Sequence, residues 1–305
     1  MKLLVTGASG FLGKNLLLAL PRETGITAVY RSPDFPSFLR AAGLGHVRAA
    51  CADLARADDL EPVVAAGPFD ACVFLAANGD PALSVARPAF DLASNCAGLV
   101  NLLERCSFGT FVFFSSGAVY DGLEGPVSPR SCARPHLPYA VSKLAAEGYL
   151  EHFRRQGTVD RGVTVRFFGA YGPHEPARKV YTKLVRRFGI EGQRRFTIRG
   201  DGRNLIDAMY VSDAMRAVRL LLEAPPAGGA VFDLYSGRPL TLTELAQRAA
   251  RTFGVTPEIE YEGEVPERIE FRSTDRTMAE RFAFAPAVEL ETGLRLLHDH
   301  LRAAS

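Results

Sequence analysis

Apolar residues in this chain form short, closed runs, separated by longer stretches in which they recur every three or four positions. Lys2-Leu3-Leu4-Val5-Thr6 is the first run. It lacks apolar–polar alternation, so it reads as a strand buried on both faces of a parallel sheet. Leu12, Leu16, Leu17 and Leu20 follow at helical spacing. Further strands are predicted over 26–30, 46–50, 71–75, 110–115 and 163–168, and helices over 11–20, 36–43, 57–66, 87–106 and 138–156. Strands alternating with helices predict an α/β fold built on a doubly wound parallel sheet. After Phe168 the rhythm breaks at Gly169-Ala170-Tyr171-Gly172-Pro173. A basic helix around 179–188, a helix over 212–223, a strand over 230–235, a helix over 243–253, an acidic loop and terminal helices complete the pattern. Residues 1–168 plus about 212–235 are expected to form one domain, and 169–211 with 236–305 a smaller, discontinuous α/β lobe.

The first strand runs directly into Gly7-Ala8-Ser9-Gly10-Phe11-Leu12-Gly13 and then a helix. Strand, glycine turn and helix is the context in which such a motif binds a dinucleotide. One glycine makes the turn, a second lets the backbone approach the pyrophosphate, and a third lets helix and strand pack closely. The pyrophosphate then meets the free amides and positive dipole end of the helix. The first domain is therefore expected to be a Rossmann-type dinucleotide-binding domain.

Composition narrows the alternatives. A chain of 305 residues with 47% hydrophobic and 23% charged residues is long enough for a large core. A net charge of +2 gives no reason to expect nucleic acid or a membrane as a partner. No apolar run reaches membrane-spanning length and no signal-peptide pattern precedes the first strand, so a cytoplasmic location is expected. Cys51, Cys72, Cys96, Cys106 and Cys132 are odd in number and lack metal-ligand spacing. They read as reduced thiols, and no metal site is expected.

Ser115-Ser116 closes the strand 110–115, and Tyr139 and Lys143 open the helix that follows. Residues four apart share a helix face. A tyrosine phenol has a reference pKa of about 10, too high for a base at neutral pH. A neighbouring ammonium favours the phenolate. Tyr139 then serves as general acid/base toward a substrate hydroxyl, with a serine hydroxyl fixing the same oxygen and a nicotinamide moving the hydride.

These segments together resemble the extended short-chain dehydrogenase/reductase family, the NAD-dependent epimerase/dehydratase group that works mostly on nucleotide-activated sugars. The resemblance covers nearly the whole chain. It rests on Thr6 to Gly13, Asp53-Leu54, Leu75-Ala76-Ala77, Asn95 with Gly98 and Asn101-Leu102-Leu103-Glu104, and Ser115-Ser116-Gly117-Ala118-Val119-Tyr120. Tyr171-Gly172-Pro173, Gly200-Asp201-Gly202 and Tyr210-Val211-x-Asp213 are later landmarks. It implies Ser116, Tyr139 and Lys143 as the catalytic set. It implies cofactor contacts from Gly7, Ser9, Gly10, Phe11, Leu12, Gly13, Asp53, Leu54, Leu75, Ala76, Ala77, Asn95, Ser115 and Phe168, besides Tyr139 and Lys143. On the substrate side it implies Asn78, Ser84, Ser116, Gly117, Tyr139, Gly169, Arg178 and Lys179. A homodimer through the helices near 87–106 and 138–156 is the expected assembly.

Three departures from the family pattern refine the expectation. Tyr30-Arg31-Ser32 stands where NAD-binding members usually carry an acidic residue, and Arg31 with Ser32 suits a 2′-phosphate, so NADP(H) is favoured over NAD(H). Gly117-Ala118 replaces the Asp-Glu pair of members that eliminate water, which disfavours a 4,6-dehydratase. Ile206-Asp207-Ala208 replaces a segment whose arginine meets the diphosphate, leaving that role to Arg203 or Arg268. The expected activity is NADPH-dependent reduction of a 4-keto group on a nucleotide sugar. A nucleotide-sugar 4-epimerase with tightly bound NAD is the close alternative. A reductase of a non-sugar carbonyl and a non-catalytic dinucleotide sensor are more distant ones.

Overall fold

The computed structural model describes residues 1–264 and 268–303. The apolar runs form one seven-stranded sheet from β1 (Lys2–Thr6), β2 (Gly25–Tyr30), β3 (Arg48–Cys51), β4 (Phe69–Phe74), β5 (Phe108–Ser116), β6 (Val159–Phe167) and β7 (Gly229–Leu234). Their spatial order is β7-β6-β5-β4-β1-β2-β3. The registers from β3 across to β6 are all parallel, with Leu3 between Ile26 and Ala71. Strand order reverses at β1, so a crevice opens outside the carboxyl ends of β1 and β4, where doubly wound sheets bind ligands.

The chain divides into two compact units. The first comprises Met1–Asp121, Cys132–Phe167 and Met215–Phe232. The second comprises Gly122–Ser131, Phe168–Ala214 and Asp233–Ser305. In the first, Leu4, Phe74, Leu99, Leu102 and Phe111 are wholly buried in one apolar cluster, each contributing roughly 1.5–3 kcal/mol by leaving water. The second has its own core around Tyr171, Leu184, Leu245 and Leu294, in which the Tyr171 and Tyr181 rings stack 4.2 Å apart.

The structure departs from the sequence reading in places with evident causes. Residues 57–66 are not one helix, because Pro62 is tolerated only at a helix start. A tight turn, Ala57–Leu60, precedes the short helix Glu61–Val64. The long helix expected over 87–106 is three pieces: Pro88–Leu92, a wide π-type turn Ala93–Ala97, and Gly98–Arg105. Such wide turns gather at functional sites, and this one buries Asn95. Gly122–Ser131 joins the second unit because Glu124–Val127 pairs in parallel with Glu270–Ser273. The acidic loop is in part a strand, Glu258–Glu262, paired with Arg195–Arg199. Glu258 and Glu260 there meet Arg194 and Arg195, at 3.5 and 3.1 Å.

The glycine turn has the close packing that its spacing implies. Gly7 has φ +65°, and a Cβ there would lie 2.7 Å from the Ala76 nitrogen. A Cβ on Gly13 would lie 2.4 Å from the Gly7 carbonyl oxygen, an overlap that only backbone movement relieves. Gly13→Ala is expected to cost about 3 kcal/mol of unfolding free energy, measured by urea titration, and to abolish dinucleotide binding.

Candidate active site

Ser116 ends β5, so the sheet delivers its hydroxyl to the carboxyl edge. Its Oγ accepts a hydrogen bond from the Ala118 amide at 3.1 Å, which caps the tight turn Gly117–Tyr120. The helix Pro138–Arg155 brings the remaining chemistry. Pro138 suits a first helical position. No side chain of Leu137 caps this helix. Instead, Ser84 Oγ accepts from the Tyr139 amide at 3.2 Å, and Asp121 Oδ2 accepts from the amides of His136 and Leu137 at 2.8 and 3.0 Å.

Tyr139, half-buried, and Lys143, buried, share one face of that helix. Burial raises the Tyr139 phenol above its ordinary value; a hydrogen bond with Ser116 pulls it down, and the negative charge of Asp91 pushes it up again. Lys143 is lowered to about 8 by burial, against the pull of Asp91 and Glu147. Its ammonium donates to the Phe114 carbonyl at 2.8 Å and lies 5.0 Å from the centre of the Phe113 ring. In the protein alone, burial therefore outweighs the lowering effect of the Ser116 hydrogen bond on the phenol. Tyr139 holds its proton at neutral pH and is set up to give it.

Two buried networks surround this pair. In one, Asp91 Oδ1 accepts from Asn78 Nδ2 at 2.8 Å and Asn95 Nδ2 at 2.9 Å, and Asp91 Oδ2 accepts from Ser142 Oγ at 2.6 Å. In the other, the Arg166 guanidinium donates to Glu147 at 2.8 to 3.2 Å and to the Tyr120 hydroxyl at 3.1 Å, while Ser115 donates to Glu147 at 2.5 Å. Burial opposes the Arg166 charge, but Glu147 and Tyr120 more than offset it and raise the guanidinium further above its already high value.

A cavity of about 210 Å³ lies over the carboxyl ends of β1, β2 and β4. Of the residues expected at a cofactor, Gly7, Ser9, Gly10, Arg31, Asp53, Leu54, Leu75, Ala76 and Ala77 line it. Tyr30, Ala52 and Ser94 line it too, without a motif to announce them. The residues fit a dinucleotide, since the space above Gly7 is kept by a missing side chain and the turn opens a nine-residue helix, Phe11–Ala19. Thr6 Oγ1 accepts from the amides of Leu75 and Ala76, both at 3.2 Å, and so ties the two strand ends that frame the cavity. Arg31 and Asp53, read separately from the sequence, touch: Arg31 Nη1 donates to Asp53 Oδ2 at 3.2 Å.

Other expected contacts lie elsewhere. Phe11, Leu12 and Gly13 belong to the helix behind the turn, and Ser32 follows Arg31 beyond β2. Ser84, expected at the substrate, is fully buried; its hydroxyl donates to the Pro81 carbonyl and caps the Tyr139 helix. Asn78, Asn95 and Ser115 are likewise buried, and their side chains are engaged in the two networks. Gly117 is buried in the first unit. In the second unit, Gly169 has φ +129° with Ala208 3.4 Å from where its Cβ would be, and Phe168 packs against Tyr235 and Phe271. Arg178 and Lys179 are exposed. The Arg203 amide donates to Asp201 at 3.0 Å, and Arg268 pairs with Asp201 and Glu270 at 3.3 and 3.0 Å. Asp91, Ser142, Glu147 and Arg166 were missed. Glu147 was within reach of a spacing argument, four residues beyond Lys143 on the same face.

Comparison with known proteins shows the family. Residues 3–234 match the model of the NAD dependent epimerase/dehydratase family, and the chain belongs to that family. It is 30% identical to a dTDP-glucose 4,6-dehydratase of Streptomyces niveus, over 96% of this chain and 90% of the relative. It is 28% identical to a GDP-6-deoxy-D-mannose reductase of Pseudomonas aeruginosa, over 97% of this chain and 95% of the relative. The UDP-glucose 4-epimerase of Thermotoga maritima, solved with UDP-glucose, superposes with a TM-score of 0.89 at 26% identity, covering 100% of this chain and 99% of that one. The protein is thus an enzyme of the extended short-chain dehydrogenase/reductase type, in a family whose dehydratases, epimerases and reductases modify nucleotide sugars with NAD(P).

The Arg166–Glu147 pair joins the helix of Tyr139 and Lys143 to β6. Removing one partner strands the other charge in the interior. Glu147→Ala is expected to cost about 3–5 kcal/mol by chemical denaturation.

Proposed function

We propose that the protein is an NADPH-dependent reductase that delivers hydride to a keto carbon, at C4, of a nucleotide-activated sugar. The observation that carries this reading is Arg31 at the end of β2, lining the cavity beside Asp53. Their contact is half-exposed, and such pairs are worth only about 0–1 kcal/mol. A 2′-phosphate offering charge-assisted hydrogen bonds competes with Asp53 for the guanidinium at little cost. Ser32 adds a hydroxyl next to it.

In the reaction, the bound nicotinamide supplies the hydride. Ser116 donates a hydrogen bond to the substrate carbonyl oxygen and fixes its direction. Tyr139, protonated at neutral pH, gives its proton to that oxygen as negative charge develops there. Lys143 remains charged below about pH 8 and stabilises the phenolate left behind. Arg203 or Arg268 is the candidate contact of the substrate's diphosphate by place in the family pattern, with Arg178 and Lys179 as further cations. Elimination of water would need an acid and a base on the turn after Ser116, where only Gly117 and Ala118 stand. This separates the proposal from the dehydratase relative.

A 4-epimerase with resident NAD is the second reading, favoured by the similarity to the epimerase structure. The two differ in what happens to the cofactor. Nicotinamide fluorescence on titrating NADPH and NADH into the protein decides which is preferred, against a low background because the chain has no tryptophan. NADPH is expected to bind at least about tenfold tighter, equivalent to about 1.4 kcal/mol, and Arg31→Ala to erase the difference. Equal binding, with a cofactor redox state unchanged over many turnovers, would establish the epimerase. Tyr139→Phe is expected to lower kcat by about 10²–10⁴-fold with dinucleotide affinity preserved; a sensor without catalysis would keep its whole function in that variant.

The same reading includes a homodimer. Val141 and Tyr149 lie eight residues apart on the helix Pro138–Arg155, and both are exposed, as is Leu92 on the neighbouring helix Pro88–Leu92. Burying this stripe against a second copy removes it from water. Light scattering is expected to report a dimer for the protein and a folded monomer for Val141→Glu combined with Tyr149→Glu; an unchanged mass would remove this face from the interface.

A further inference from the structure

We propose that Asp91 is a positioning residue for the Tyr139–Lys143 couple, its buried carboxylate holding, through Ser142, the helix turn that carries both side chains. The inference rests on the catalytic reading of Tyr139 and Lys143.

The geometry makes Asp91 unusual. It is wholly buried in the first unit, on the short helix Pro88–Leu92. Buried carboxylates are ordinarily neutralised or paired with a cation. Among the described residues the Asp91 carboxylate is hydrogen-bonded by the side-chain amides of Asn78 and Asn95 and the hydroxyl of Ser142, at 2.8, 2.9 and 2.6 Å, and by no cation. The same groups bind one another. Asn95 Nδ2 lies 3.0 Å from Ser142 Oγ, Asn95 Oδ1 accepts from the Asn78 backbone N–H at 2.7 Å, Asn78 Nδ2 also donates to the Asp80 carbonyl at 3.1 Å, and Ser142 Oγ lies 2.9 Å from the Tyr139 carbonyl oxygen. Every donor in this cage is thus fixed by a second contact, and the cage closes on the turn between Tyr139 and Lys143.

Charge decides what the cage is for. Three titratable groups act on Lys143 or share its face: Asp91, Glu147 and Tyr139. Glu147 is already committed to Arg166 and Ser115. Among the described residues the hydrogen bonds to the Asp91 carboxylate all come from neutral donors, and its electrostatic influence reaches Lys143. A carboxylate in this position strengthens the hold of Lys143 on its proton and also opposes ionisation of Tyr139. Both effects favour the state that starts a reduction, with an ammonium beside a phenol that still has its proton. Ser84, capping the Tyr139 amide from the preceding helix Pro81–Ala86, completes the attachment.

The chain has five lysines, Lys2, Lys14, Lys143, Lys179 and Lys183. Carbon-13 labelling at lysine Cε therefore gives few resonances, and loss of one in Lys143→Arg assigns the buried side chain. Its titration is read in the folded protein without substrate or turnover. In the unaltered protein the midpoint is expected near 8. In Asp91→Asn it is expected about one pH unit lower, a tenfold loss in proton affinity, with NADPH affinity within about twofold and the alkaline limb of kcat displaced by the same amount. Glu147→Gln is expected to move the midpoint less. An unchanged midpoint in Asp91→Asn, or a larger displacement in Glu147→Gln, would overturn the proposal. Should Asp91→Asn not fold, Asp91→Ser, which leaves room for a water, is read by the same criterion. Because the lysine midpoint is read without turnover, its failure to move counts against Asp91 alone. Undiminished activity in Tyr139→Phe would instead count against the catalytic reading on which it rests.

Discussion

A lysine ammonium kept out of water is the constraint on which the site depends. Burying a charge costs several kcal/mol unless partners replace its hydration. Among the described residues, the Lys143 ammonium donates to the Phe114 carbonyl at 2.8 Å and meets the face of the Phe113 ring at 5.0 Å. Both partners belong to β5, the strand that ends in Ser116. The Ser116 hydroxyl and the anchor of the Lys143 ammonium are therefore parts of one strand. The remaining compensation is electrostatic and comes from Asp91 and Glu147. Without them, burial alone would leave Lys143 neutral over more of the physiological range.

The same dryness gives Tyr139 its role. A solvent-exposed phenol beside an ammonium would lose its proton more readily than a free tyrosine. Here burial acts first and reverses that tendency, so the phenol is a proton donor at rest. The positive charge of an oxidised nicotinamide would tip the balance toward the phenolate, which is the form needed in the opposite direction of reaction. Reduction and oxidation at one carbon can thus share a single constellation, in keeping with a family that holds reductases, epimerases and dehydratases. What separates them lies outside the Ser-Tyr-Lys core. In the proposed reading the distinguishing positions are Arg31, which lines the cavity, and Gly117-Ala118, which follow Ser116.

Much of this was legible in the sequence where local chemistry and global fold agree. The strands were found because a buried parallel sheet demands unbroken apolar runs, and β1 through β6 fell within a few residues of their expected positions. The glycine turn was legible because its three glycines answer to sterics, as the 2.4 Å approach at Gly13 shows. Less legible were features decided by distant partners. Pro62 and the wide turn at Ala93–Ala97 broke expected helices, and Gly122–Ser131 joined the second unit through pairing with a strand about 145 residues away, a separation no local pattern encodes. Asp91 and Arg166 were invisible for the same reason. A lone aspartate on a helix and a lone arginine on a strand read as solvated until the fold shows them buried. Ser84 is expected at the substrate by its place in the family pattern; the structure adds a hydrogen bond from the Tyr139 amide to its hydroxyl, which no local pattern encodes.

The central claim is that a hydride passes between a nicotinamide and one sugar carbon at Ser116, Tyr139 and Lys143. Its most direct test is isotopic. NADPH carrying deuterium at C4 of the nicotinamide would be mixed with a nucleotide 4-keto sugar, and the product examined by NMR and mass spectrometry. The account predicts one deuterium per product molecule, at sugar C4, from one face of the nicotinamide, with an equal amount of NADP formed. Product formed with no deuterium at C4, or formed equally well by Tyr139→Phe, would contradict it.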